Sequence, residues 1–231
     1  MSRTDSLVLI PLIKYLNLFI KVAMPNNRHW LFILLLQCSF AADDTESWNS
    51  IGFEKKLPYS LELEFDQEFR LIDQLSTIKQ TISKVSLSYK VLDGVRIFIP
   101  LRYAIFEDKV KQRLSFGGSY KYGWNPVSLK YRIKLQRTYE NGDFPEDLIR
   151  NRITIDYKLN KKIEPYVSGE FFHLYNTDQF QYNENRISFG FNVDLPKKRS
   201  VKIFYTRKKE DIHSSKPDQI NIFGLAYDTK L

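Results

Sequence analysis

The sequence predicts an all-β fold, a single antiparallel transmembrane β-barrel of about 10–12 strands. Three observations carry this. Apolar and polar residues alternate from about Trp48 to Leu231, the polar set is heavily charged, and the connections alternate between short turns and longer polar segments. The run from Ile149 to Leu159 shows the pattern. One face reads Ile149, Asn151, Ile153, Ile155, Tyr157, Leu159 and the other Arg150, Arg152, Thr154, Asp156, Lys158, because successive side chains of a strand point to opposite faces. A soluble barrel would turn such an apolar face inward. A membrane barrel turns it to lipid and encloses the charges.

Eleven strand-like segments follow in order. The first, 48–56, opens on Trp48. The second, 59–70, has a polar face of Glu62, Glu64, Asp66 and Glu68, followed by Arg70. The third is 83–92. The fourth, 95–105, sets Val95, Ile97, Ile99, Leu101 and Tyr103 against Arg96 and Arg102. The fifth, 110–122, offers Lys111, Arg113 and Lys121, with Phe116-Gly117-Gly118 in its middle, where glycine relieves crowding or marks a bend. The sixth, 126–138, carries Val127, Leu129, Tyr131, Ile133 and Leu135 opposite Lys130, Arg132 and Lys134. The seventh, 149–159, contributes Arg150, Arg152, Asp156 and Lys158. The eighth, 162–174, contributes Glu164 and Glu170. The ninth, 185–195, has Ile187, Phe189, Phe191, Val193 and Leu195 on one face and Arg186 and Asp194 on the other. The tenth, 200–208, includes Lys202. The eleventh, 219–231, alternates through Asn221, Phe223, Leu225, Tyr227, Thr229 and Leu231. These lengths are near the 9–11 residues with which a tilted strand crosses a bilayer. No long helix competes; 71–82 could form one helical turn or a loop.

Short connections are expected at Leu57-Pro58, Asp93-Gly94, Trp124-Asn125, Asn160-Lys161 and 196–198, and Asp-Gly is a strong hairpin dipeptide. Longer ones are expected near 71–82, 106–109, 139–148, 175–184 and 209–218. Outer-membrane barrels pair short periplasmic turns with longer outer loops. Eleven is odd, where bacterial barrels usually have an even count. A missed strand, a segment that does not span, or a parallel closure between first and last strands would each reconcile this.

Bulk properties agree. The chain has 231 residues, fits one domain, and has a mean hydropathy of −0.38, too low for a helical membrane protein. Aromatic residues make up 15%, a level suited to strands and interfacial girdles. The net charge is +8, with the charges spread at strand period rather than clustered, so nucleic acid is not an expected partner. Residues 24–42 read as an export signal: Arg28, the apolar Trp30 to Leu36, and the small-x-small site Ser39-Phe40-Ala41. The expected organisation is a signal region over 1–41, translated from Met24 and cleaved after Ala41, then a barrel over 42–231 in the outer membrane. Removing 1–41 takes away four basic residues and one acid and leaves about +5. The only cysteine, Cys38, lies in the signal region, so the mature part has no disulfide and no cysteine metal site.

Three segments, WNSIGFEKKL near the mature start, LIRNRITIDYKLNKKIEPYVSGEFFH in the middle and INIFGLAYDTKL at the end, resemble the Gram-negative outer-membrane barrels of domain of unknown function 2490. The resemblance covers roughly Trp48 to Leu231. It implies the fold and the location, and transfers no catalytic or binding residue. The final strand also resembles the terminal strand that barrel-assembly machinery reads, with Leu231 in place of the usual Phe or Trp.

Little in the chain suggests chemistry. Of three histidines, His29 lies in the signal region, His173 near the end of a strand, and His213 in a loop beside Ser214 and Ser215. That loop is the one local candidate for a Ser–His lipid hydrolase; adjacent loop residues are poorly placed for it, so no enzyme is expected. Glu140, Asp143, Glu146 and Asp147 could attract Ca²⁺, but solvated loop charge explains them, and no cofactor is expected. The expected site is a lumen charge network of Glu62, Glu64, Asp66, Glu68, Lys130, Arg132, Lys134, Arg150, Arg152 and Glu170, with acids of the second strand pairing across the lumen to bases of the sixth and seventh. The expected function is a structural or narrow, largely closed barrel whose partners are outer-membrane lipid and the assembly machinery. A channel for ions or small solutes and a soluble periplasmic lipid binder with an apolar interior remain open.

Overall fold

The computed structural model describes residues 44–72, 76–140, 144–176 and 179–231. The expected signal region, with Met24, His29, Cys38 and the cleavage after Ala41, lies outside the described residues, as does Asp143. The described residues form eleven strands: β1 (Asp44–Lys56), β2 (Leu61–Ile72), β3 (Thr77–Leu92), β4 (Val95–Ile105), β5 (Val110–Trp124), β6 (Val127–Glu140), β7 (Glu146–Tyr157), β8 (Ile163–Asn176), β9 (Gln179–Leu195), β10 (Arg199–Glu210) and β11 (Asp218–Lys230). Each pairs with its neighbour in sequence, and the sheet closes between β1 and β11. The odd count is therefore real. An odd number of strands joined by hairpins leaves the first and last pointing the same way, and β1 and β11 pair in parallel from Asp44↔Ile220 to Glu54↔Lys230. The sheet is antiparallel everywhere but at this seam.

The strands run past the expected ends. β3, β5 and β9 have 16, 15 and 17 residues, more than a bilayer crossing needs. Most of 71–82, expected as a loop or helical turn, is strand: Leu71 and Ile72 belong to β2 and Thr77 onward to β3. Likewise 175–184 is largely β8 and β9. The marked difference in loop length expected between the two ends is thus reduced. Alternation continues outward through polar residues such as Lys79, Gln80, Asn183 and Glu184, in segments where loops are expected from composition.

The two faces separate as the alternation requires. Ile97, Ile99 and Leu101 on β4, Leu129, Ile133 and Leu135 on β6, and Phe223 and Leu225 on β11 are exposed on the outer wall. Glu62, Ser86, Ser88, Ser115, Ser119 and Glu170 are buried inside. An apolar interior, which the soluble lipid binder would need, does not form. Exposed aromatics ring both ends: Tyr89, Tyr120, Tyr122, Trp124 and Tyr157 toward the short turns, and Tyr103, Tyr139 and Tyr175 toward the other end. Asp93-Gly94 makes the expected tight turn, with Gly94 at φ 80°. Beside it the Lys90 ammonium, 2.5 Å from Asp93 Oδ1, holds that exposed carboxyl below the ordinary range.

Candidate functional site

The interior is a wall of charge around a few small cavities. All ten residues expected in the lumen network are on strands at inward positions, but their pairing differs from expectation. Glu62 accepts a hydrogen bond from Arg96 Nη1 at 2.6 Å. Asp66 lies 2.5 Å from Lys84 Nζ on the adjacent strand. Glu68 binds Arg70 of its own strand. Arg150 makes a two-pronged bond to Glu170, at 2.6 and 2.8 Å. Arg152 donates to the Ser168 hydroxyl at 3.1 Å. The acids of β2 thus bind nearby bases and do not reach β6 or β7. Neighbouring strands lie about 4.8 Å apart, so a partner on the same wall is closer than one across the lumen. Glu64 does face Lys130, Arg132 and Lys134, but across a cavity of about 560 Å³ that all four help to line.

At the level of Trp48 the lumen is packed with alternating cations and rings. The Arg70 guanidinium lies 3.5 Å from the Trp48 ring centre, and Arg186 lies 5.1 Å from the same ring. Arg186 also sits 4.6 Å from the Phe172 ring, and Arg150 4.8 Å from it. Guanidinium groups stack well on rings because they are planar and weakly hydrated. Carboxylates neutralise the stack: Glu68 on Arg70, Glu184 on Arg186, Glu170 on Arg150. Glu46 anchors one side, accepting from Trp48 Nε1 at 2.6 Å and Lys79 Nζ at 2.7 Å. Phe204 completes the layer. Its ring lies directly against Gly224 of β11, where any Cβ would collide with it, so glycine there makes room for the ring. Gly117 does the same for Phe98, whereas a Cβ at its neighbour Gly118 would meet only an ordinary contact.

Cavities lie on both sides of this layer. One of about 280 Å³ includes Arg70, Arg102, Arg113, Arg186 and Glu184. Toward the short turns, a cavity of about 370 Å³ shares Lys121, Lys130 and Arg132 with the larger one already described. A fourth, about 160 Å³, is bounded by Trp48, Glu170 and Phe204; it shares Arg186 with the first and Arg152, Tyr166 and Lys202 with the second.

The other candidates are not assembled. No hydrogen bond joins His213 to Ser214 or Ser215 among the described residues; the Ser214 hydroxyl donates to the Lys216 carbonyl. The His173 ring packs 5.3 Å from that of Tyr182. Glu140 is engaged by Lys109 and Lys111, and Asp147 by Arg137. Glu46, central to the packed layer, lies before the expected first strand, and Trp48 is expected there only as that strand's first residue. Carrying the two-residue period back from Trp48 through Glu46 to Asp44 would have found Glu46.

The family described as protein of unknown function (DUF2490) matches residues 45–220. The chain belongs to the DUF2490 family. No curated protein sequence matches it. Among solved structures, a bacterial polysaccharide outer membrane secretin is similar at 7% identity and a TM-score of 0.50 over 73% of this chain. The match spans 63% of that secretin. A NanC porin matches at 9% identity and a TM-score of 0.49, over 71% of this chain and 86% of that one. An anion-selective porin from Comamonas acidovorans matches at 9% and 0.40, over 74% and 54%. The secretin likeness is one of fold alone. This DUF2490 chain shares with it a closed barrel architecture.

Proposed function

We propose that this DUF2490 protein is an integral outer-membrane barrel, exported by its N-terminal segment, whose lumen is largely closed and whose role is not catalytic. The observation that carries the closed lumen is the burial of inward side chains. Ile222 is 0% exposed, and Phe172, Ser168 and Thr206 are each 3% exposed. An open pore would leave such side chains in contact with water. Membrane insertion rests on the continuous apolar exterior, the aromatic rings at both ends and the barrel fold. Exposed Leu, Ile and Phe on nearly every strand would aggregate in water and are stable against lipid. Lipid is thus the main partner, and β11, with Phe223, Leu225 and Tyr227 outward, is the strand offered to assembly machinery.

Two experiments test the reading. Alkaline carbonate washing of membranes should leave the protein in the pellet; release as a soluble monomer would overturn the membrane assignment. Purified barrel in planar bilayers should show little or no conductance; a large, steady conductance would overturn the closed lumen. That outcome would favour a narrow ion path, the reading supported by cavities that share lining residues along the interior.

A further inference from the structure

We propose that the cavities on the short-turn side hold a binding site for a multivalent oxyanion, a phosphorylated or polycarboxylated solute, centred on Arg132 and Arg152. The register is the first observation. Across β5, β6 and β7, like charges stand directly opposite one another three times: Lys121↔Lys130, Arg132↔Arg152 and Lys134↔Arg150. Directly opposed like charges destabilise a sheet, and here they face a lumen rather than open water. Among the described residues only Arg150 of these six is ion-paired to a carboxylate, Glu170, which also stands opposite Arg152.

The second observation is a buried donor without an acceptor. Arg132 Nε is out of contact with solvent and makes no hydrogen bond among the described residues, although its guanidinium rests 4.8 Å from the Phe98 ring. Leaving a charged donor so placed costs stability. Arg132 and Lys130 line both adjoining cavities, and Arg152, Lys202 and Tyr166 join them in the smaller. Carboxylates are present but do not quench the block. In the smaller cavity Asp156 accepts from Ser128 at 3.4 Å, and Glu164 lies on its wall. In the larger cavity Glu62 is committed to Arg96, while Glu54 and Glu64 line it with the cations. A fork of two guanidinium groups with flanking ammonium groups suits an anion bearing several oxygens, because Arg binds carboxylate and phosphate in two-pronged fashion. The structural cost of the cation block is then offset only when that anion is bound.

This site does not depend on the lumen being closed, and it can be tested on folded barrel in detergent, apart from the carbonate and conductance experiments. Inorganic pyrophosphate is titrated calorimetrically at constant ionic strength set with NaCl. Saturable binding is expected, weakened roughly tenfold by Arg132→Gln and by Arg152→Gln, the loss of one charge-assisted hydrogen bond. Arg102→Gln removes a lumen cation from the opposite cavity and should leave the affinity unchanged. Without pyrophosphate, Arg132→Gln should melt above the native protein, since it relieves an opposed pair; with saturating pyrophosphate the order should reverse. Lys130→Gln serves if an arginine variant fails to fold. Absence of saturable binding, or equal weakening by Arg102→Gln, would overturn the site.

Discussion

Replacing Glu170 with Gln probes the packed layer most directly. The carboxylate is 6% exposed and grips Arg150 through both oxygens, at 2.6 and 2.8 Å. It also stands directly opposite Arg152 on β7 and Arg186 on β9, so one acid faces three guanidinium groups. Arg186 retains Glu184 after the change, but Arg150 loses its carboxylate while still opposed by Lys134. Breaking a buried pair by removing one partner costs about 3–5 kcal/mol, and the opposed ammonium argues for the upper half. Glutamine conserves shape, so packing contributes little to the difference. The assay is equilibrium urea unfolding in phospholipid vesicles, read by tryptophan fluorescence and by the mobility shift of folded against heated protein. Asp93→Asn, which alters an exposed turn pair, is the reference and should not move the midpoint. Adding Arg150→Met to Glu170→Gln should recover part of the loss, because it removes the stranded charge. A loss below about 1 kcal/mol, the level of a surface pair, would refute the view that this layer is dry and held by pairing.

The outer wall can be challenged at Ile133, 38% exposed near the middle of β6. Ile133→Arg should cost about 2–4 kcal/mol at the bilayer midplane, whereas Lys134→Arg, inside and 5.6 Å from the Phe98 ring, should be mild; equal tolerance in the same unfolding assay would contradict the assignment of faces. At Gly224, Leu would strike the Phe204 ring and should destabilise by about 1–3 kcal/mol through overpacking; an unchanged midpoint would mean that the ring does not lie on that strand.

The alternation of side chains determined the strands, their number to within the expected range, and which residues share a face. Period two is a local property of extended chain, so Ile133 and Lys134 were separable without knowing any contact. Loop lengths were less legible. The polar ends of β3, β8 and β9 continue the strand beyond the apolar band, and composition alone reads such residues as loop. Three things only the tertiary structure decided. The direction of the apolar face needed the closed sheet, because the same alternation suits either environment. The parallel seam between β1 and β11 is a consequence of closure with an odd number of strands, which no single segment encodes. The pairing of charges depends on distances around and across the barrel. Those distances gave Glu62 to Arg96 and Asp66 to Lys84, left Glu64 facing the β6 cations over a cavity, and stacked Arg70 and Arg186 on Trp48. A charge pattern says which side chains share the lumen; only the curvature of the wall says which of them can touch.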